Sequence, residues 1–161
     1  MNQAAAPQVL DDLCTTFFYE GSQVRELRIL RCQNCGFYIH LPRPICRNCQ
    51  SFDLKGEVVS GKATLYTYTV ATKPFHPFFV DRVPYIVATV ALAEQPKLHL
   101  ISNLVGIDEA NVKIGMDLEV DFEVLSDTLT IPVFRAAGSL GTSSTTSSPA
   151  SSSASAGTSK S

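Results

Sequence analysis

The sequence predicts a mainly β protein: one short helix and a four-cysteine metal module, then a small domain of five strands, then a polar tail. Three observations carry this reading. Four of the five cysteines fall within CQNCGFYIHLPRPICRNC, from Cys32 to Cys49. Five runs rich in β-branched and aromatic residues, divided by turn residues, lie between about Glu57 and Arg135. The last 24 residues, GSLGTSSTTSSPASSSASAGTSKS, contain 15 Ser or Thr.

A chain of 161 residues, 45% hydrophobic and 17% charged, suits one domain of ordinary size with a small appended module. The net charge of -2 and pI near 5.9 argue against a nucleic-acid module, which usually carries a basic face. No apolar run approaches the roughly 18 residues of a membrane span. MNQAAAPQVLDD lacks a basic segment followed by an apolar one, so no secretory signal is expected. A cytoplasmic location follows, and in a reducing compartment paired cysteines point to metal more than to disulfides.

Residues 1–24 comprise a polar, Ala-rich leader and a short amphipathic helix, DDLCTTFFYEGSQV (11–24). Asp11 or Asp12 suits its start and Gly21 its end. Leu13, Phe17 and Phe18 form its apolar stripe. Cys14 reads as a small buried hydrophobe, since no basic partner lies near it in sequence.

Residues 25–54 form the metal module. ELRIL (26–30) leads into the first CxxC as a strand, and FYIHL (37–41) is a second strand broken by Pro42 and Pro44. Two CxxC pairs on separate turns place four thiolates at the corners of a tetrahedron, the geometry Zn²⁺ prefers. Gly36 suits the tight turn after the first pair because it accepts positive φ. Iron uses the same four-sulfur set and stays open; two disulfides are the remaining alternative. Cys32, Cys35, Cys46 and Cys49 fill the metal's shell, whereas a catalytic zinc keeps a position open. The metal is therefore read as architectural, supplying folding energy that so few core positions cannot. His40, between the pairs, reads as an ordinary strand histidine.

Residues 55–137 hold the strands: KATLYTYTVAT (62–72), PYIVATVALAE (84–94), KLHLISNLVG (97–106), MDLEVDFEVLS (116–126) and TLTIPVF (128–134). Positions 118, 120, 122 and 124 are apolar and alternate with acids, the pattern of a strand with one wet face. The proline in the last run suits an edge or strand end. IDEAN (107–111) fits one helical turn. Five such strands in roughly 75 residues suit a small barrel such as an OB-fold; a small sandwich fits the pattern nearly as well. Residues 138–161 cannot offset their ordering entropy by burial and are expected to be disordered.

No catalytic constellation emerges. GxSxG, HExxH, Walker and GxGxxG motifs are absent, and His40, His76 and His99 are scattered. The stretch TKPFHPFFVDRVPY (72–85) stands out. Its three prolines stiffen it. It reads either as a loop covering one barrel end or as an apolar and cationic platform. On the second reading Lys73 and Arg82 meet phosphates, Phe75, Phe78 and Phe79 line an apolar channel or dock a partner, and His76 is a further ligand- or partner-binding candidate.

In order, the FF-containing helix, LRILRCQNCG, PRPICRNC, SGKATLYTYTVA, VPYIVATVAL, LISNLVG, VKIGMDLEVDFE and IPVFR closely resemble the DUF35 family over about residues 12–136. The resemblance implies a rubredoxin-like zinc ribbon followed by a five-stranded OB-fold. It also implies a non-catalytic accessory subunit that binds acyl-CoA and supports or channels substrate to a thiolase-fold partner: a thiolase, an acyltransferase or a side-chain aldolase. A MaoC-like enoyl-CoA hydratase in steroid or fatty-acid breakdown is the alternative partner. A CoA ligand would give Arg43, Lys73 and Arg82 a task, since fixed cations bind its phosphates. A zinc-ribbon/OB module for single-stranded nucleic acid is the reading from another class, with Tyr66 and Tyr68 as stacking residues.

Overall fold

The computed structural model describes residues 5–7 and 15–138. Asp11, Asp12, Leu13 and Cys14, and the tail from residue 139 onward, lie outside them. Among the described residues the protein is mainly β, with one short α-helix, a three-stranded ribbon and a closed five-stranded barrel.

Helix α1 spans Thr16–Gln23. It does not stop at Gly21 as expected. It stops at a left-handed Arg25, φ 59°, with Glu26 N–H donating to Gly21 C=O and Arg25 N–H to Ser22 C=O. That is a Schellman closure with arginine in the place glycine usually takes. Gly21 is needed for proximity instead, since a Cβ there would lie 2.7 Å from the Glu26 carbonyl oxygen. Two aromatic residues of α1 serve two cores: Phe17 packs on the ribbon cluster and Phe18 on the barrel cluster.

The ribbon sheet has the order β2–β1–β3, built from β1 (Arg28–Cys32), β2 (Tyr38–Ile39) and β3 (Leu54–Val58), all antiparallel. The second strand is shorter than FYIHL. β3 was not anticipated: LKGEV has little β-branched character, and pairing along all of β1 organises it. Its Gly56 admits the Phe17 ring, which a Cβ would meet at 2.4 Å.

The barrel closes in the order β4–β5–β6–β8–β7, the Greek-key order of an OB-fold. Its strands are β4 (Lys62–Ala71), β5 (Tyr85–Leu92), β6 (His99–Leu104), β7 (Asp117–Ser126) and β8 (Leu129–Ala136). Leu65, Ala88, Val90, Leu118 and Phe134 fill the interior at 1% exposure or less. A 3-10 turn at Glu109–Asn111 matches the IDEAN expectation.

Two features depart from simple alternation. Register shifts in β7 between Val124 and Ser126. Next to this β-bulge Val124, expected inward, is 61% exposed. Pro132 lies within β8, where the Pro132 carbonyl accepts from Ser102 Oγ at 2.7 Å and so faces β6. The missing N–H points the same way. β6 and β8 are joined by a single parallel bridge, Leu104↔Phe134, so this seam demands no ladder bond of a proline.

The β5–β6 turn fastens ribbon to barrel. Gln95 Oε1 accepts from Tyr38 N–H at 2.9 Å, and Gln95 Nε2 donates to Tyr38 C=O at 3.2 Å, extending β2 as a further strand would. Glu94 Oε1 accepts from the N–H and Oγ of Ser60, between β3 and β4, at 2.7 and 2.6 Å. The barrel core cluster also includes Leu27, Ile29 and Val59. β1 therefore buries one face in each module.

Candidate metal centre and barrel cleft

The four cysteine sulfurs lie within 4.8 Å of one another. Cys32 and Cys49 are 3.5 Å apart and Cys35 and Cys46 3.6 Å. A tetrahedral ion with bonds of about 2.3 Å requires sulfurs about 3.8 Å apart, so the set can hold one metal ion.

Two equivalent turns create it. Cys32 C=O accepts from Gly36 N–H and Cys46 C=O from Gln50 N–H, each at 2.9 Å. Cys32 N–H donates to Phe37 C=O at 3.0 Å, and Cys46 N–H to Ser51 C=O at 2.9 Å. Each turn needs a left-handed residue at the position after the pair: Gly36 at φ 73° and Gln50 at φ 61°. Amides surround the sulfurs, with Asn34 Nδ2 3.5 Å from Cys49 Sγ and Asn48 N–H 3.4 Å from Cys46 Sγ. In the metal-free chain burial pushes the Cys32 thiol up to about 11. The Asn48 side chain helps bring Cys35 down to about 6. His40 is not part of this group. It stands beside Phe18, with ring centroids 6.4 Å apart, and burial lowers its pKa.

The platform segment does not form a bare loop. Pro77–Arg82 makes a 3-10 turn begun by His76, whose Nδ1 accepts from Phe78 N–H at 3.2 Å. Arg82 lies over the Phe78 ring at 4.6 Å and pairs with Glu123 Oε1 at 2.5 Å. Phe79 and Arg82 overhang a cleft of about 520 Å³ on the outer side of the β6/β8 seam. Its walls are Tyr85, Val87, Asn103, Val105, Glu123, Leu125 and Ile131. This is the position between the first and last barrel loops, over the second and third strands, where OB-folds bind ligands.

The structure thus brings Phe78, Phe79 and Arg82 together and does not gather the remaining candidates. Phe75 is 89% exposed, and Lys73 is exposed ahead of the turn. Arg43 is exposed on the ribbon between β2 and the second cysteine pair. Sequence reasoning missed the strand-borne walls. Their signal was present: Val87, Val105 and Ile131 are apolar at outward positions where alternation calls for polar residues. Leu125 carries the same signal: it is apolar on the outward face it shares with Glu123, and it lines the cleft beside the β7 bulge.

Residues 20–55 match the family model of the ChsH2 rubredoxin-like zinc ribbon domain, and residues 56–123 match that of the ChsH2 C-terminal OB-fold domain. A probable enoyl-CoA hydratase alpha subunit of Thermomonospora curvata is 38% identical over 135 residues, covering 84% of this chain and 41% of that protein. A 3-oxo-4,17-pregnadiene-20-carboxyl-CoA hydratase alpha subunit of Mycobacterium tuberculosis is 32% identical over 108 residues, 67% of this chain and 33% of that protein. A DUF35 domain-containing scaffold protein of Pyrococcus furiosus is 31% identical over 90 residues, 56% of this chain and 63% of that protein. This chain therefore spans less than half the length of the two hydratase subunits. Among solved structures, a chain of the Ltp2-ChsH2(DUF35) aldolase superposes with a TM-score of 0.74 at 38% identity, covering 81% of this chain and 99% of that one. With ribbon and barrel both matched in order, and 99% of the DUF35 chain of that aldolase covered at 38% identity, the chain belongs to the DUF35 family.

Proposed function

We propose that the protein is a non-catalytic accessory subunit that binds an acyl-CoA in its barrel cleft and supports a thiolase-fold enzyme. The observation that carries this is the cleft itself. It is mostly apolar, lies at the OB-fold ligand position, and has Arg82 at its edge. The likeness to a chain of the Ltp2-ChsH2(DUF35) aldolase supports an enzyme partner of that kind. Phe79 and Arg82, at the cleft, and Phe78, stacked under the Arg82 guanidinium, are assigned to ligand or partner. Phe75, His76 and Lys73, in the connection between β4 and β5, and Arg43, on the ribbon, are assigned to partner contact. The metal is zinc, held by Cys32, Cys35, Cys46 and Cys49; its full thiolate shell suits folding, not substrate activation.

A second reading, support of a MaoC-like enoyl-CoA hydratase, is favoured by the names of the two hydratase relatives. Native purification with identification of the co-purifying enzyme separates the two. The expected result is a thiolase-fold partner whose turnover of CoA thioesters falls when this subunit is withheld. A chain that binds no acyl-CoA and leaves the co-purified enzyme's turnover unchanged refutes both. Elemental analysis should return one zinc per chain, and an iron-loaded chain would overturn the metal assignment.

A further inference from the structure

The outward residues of β5 are Tyr85, Val87, Thr89 and Ala91, since Ile86, Ala88, Val90 and Leu92 are buried. Cross-strand register pairs Val87 with Asn103, Thr89 with Ile101 and Ala91 with His99. These pairs line three hollows in succession. Val87 and Asn103 line the 520 Å³ cleft. Thr89, Ile101 and His99 line a hollow of about 380 Å³ that also borders α1 and His40. Ala91 lines a third, of about 360 Å³, with Lys62, Lys97 and Asp117. Between the last two, Tyr66 stacks on His99 with ring centroids 4.5 Å apart and planes at 29°. A bulge in β4 between Leu65 and Thr67 leaves that ring exposed. From Tyr85 to Ala93 the row spans eight residue-to-residue steps, about 26 Å at about 3.3 Å each.

The two ends differ in charge. At the cleft end, Arg82 is already paired with Glu123. At the other, Lys62 and Lys97 join no ion pair among the described residues. The middle is short and uncharged. We infer that the outer face of β4–β5–β6 is a track for a CoA thioester bent at its pyrophosphate, which sits at Lys62 and Lys97, with the purine folded back onto the Tyr66–His99 stack and the pantetheine arm running along β5 to put the acyl group in the cleft. This rests on the acyl-CoA reading above and adds the path and the direction. Lysine ammonium groups bind phosphates as point charges, and a purine stacks on an aromatic platform. The pantetheine arm then crosses Thr89 and Ile101, and the apolar cleft receives the chain that has no polar groups to satisfy. Asp117 opposes the phosphates and sets the limit on affinity.

Calorimetric titration of the full, metal-loaded chain with CoA and with octanoyl-CoA tests this. Lys62→Ala/Lys97→Ala should weaken both ligands by about tenfold or more. Asp117→Asn should tighten both. Val87→Glu should weaken octanoyl-CoA and spare CoA. Thermal melting of each variant confirms that it is folded. If wild type binds and the lysine variant binds equally well, the path is overturned while the acyl-CoA reading stands. If wild type binds neither ligand, that reading falls and the track with it. Tighter binding of a single-stranded thymidine oligonucleotide than of CoA at equal salt also overturns it.

Discussion

Stripping the metal should melt one module and stop at a strand. Among the described residues, the ribbon cluster fully buries only Leu30 and Ile39 besides Cys32 and Cys46. Two such side chains contribute about 3–6 kcal/mol between them. A structural zinc contributes about 10–16 kcal/mol in small zinc modules, so the metal outweighs the ribbon's own core across the whole of both ranges. β1 divides the two units: Leu30 and Cys32 face the ribbon, whereas Leu27 and Ile29 belong to the barrel core with Val59. Loss of metal should therefore free residues 32–53 and leave Leu27 and Ile29 docked. Hydrogen exchange before and after chelation at neutral pH measures this directly. The expected result is fast exchange across both cysteine turns and β2, with β4 through β8 protected as before. Cys32→Ser should reproduce it without a chelator. Cooperative opening of the barrel would show that the two clusters are one folding unit. Unchanged exchange in the ribbon would show that the metal does not hold it.

Three other perturbations follow from the geometry. Gly61 has φ 74°, and a Cβ there would sit 2.2 Å from Val120 Cγ1; left-handed strain of about 1–2 kcal/mol and overpacking of about 1–3 kcal/mol should make Gly61→Ala cost about 2–5 kcal/mol in urea unfolding, and a loss under about 0.5 kcal/mol, the range of ordinary surface changes, would refute the reasoning. Gln95→Ala removes both bonds to Tyr38 and should cost about 1–2 kcal/mol, with faster exchange at β2 but not at β8; equal acceleration in both strands would mean the turn is not a local clamp. Burial raises the Asp121 carboxyl, but hydrogen bonds from Arg135 and the Phe122 N–H and the charges of Arg135 and Arg25 outweigh it, so its pKa is lowered on balance. A carboxylate held below its ordinary value adds stability that is present above about pH 4 and is lost as pH falls further. Asp121→Asn should flatten the stability profile in that acidic range, and an unaltered acid limb would discount this group.

Spacing alone determined the metal module. Two CxxC pairs specify four ligands, and Gly36 marks a left-handed turn that the structure confirms at φ 73°. Runs rich in β-branched and aromatic residues, bounded by turn residues, marked all five barrel strands, with period-two alternation explicit over 118–124. The sequence could not show where those periods break. Val124, in phase with the inward residues of β7, is exposed next to the bulge at the strand's end. The order of the strands around the barrel decides that Val87, Val105 and Ile131 share one hollow, though they are far apart in the chain. LKGEV becomes a strand only because β1 offers it an edge. The stretch 72–85 was conspicuous for its phenylalanines, yet only tertiary structure separated Phe79, which overhangs the cleft, from Phe75, which stands in solvent. Ligands of a metal are recorded in the sequence because their chemistry is particular to cysteine. The walls of a cleft are assembled from ordinary valines and leucines, and only the fold decides which of them meet.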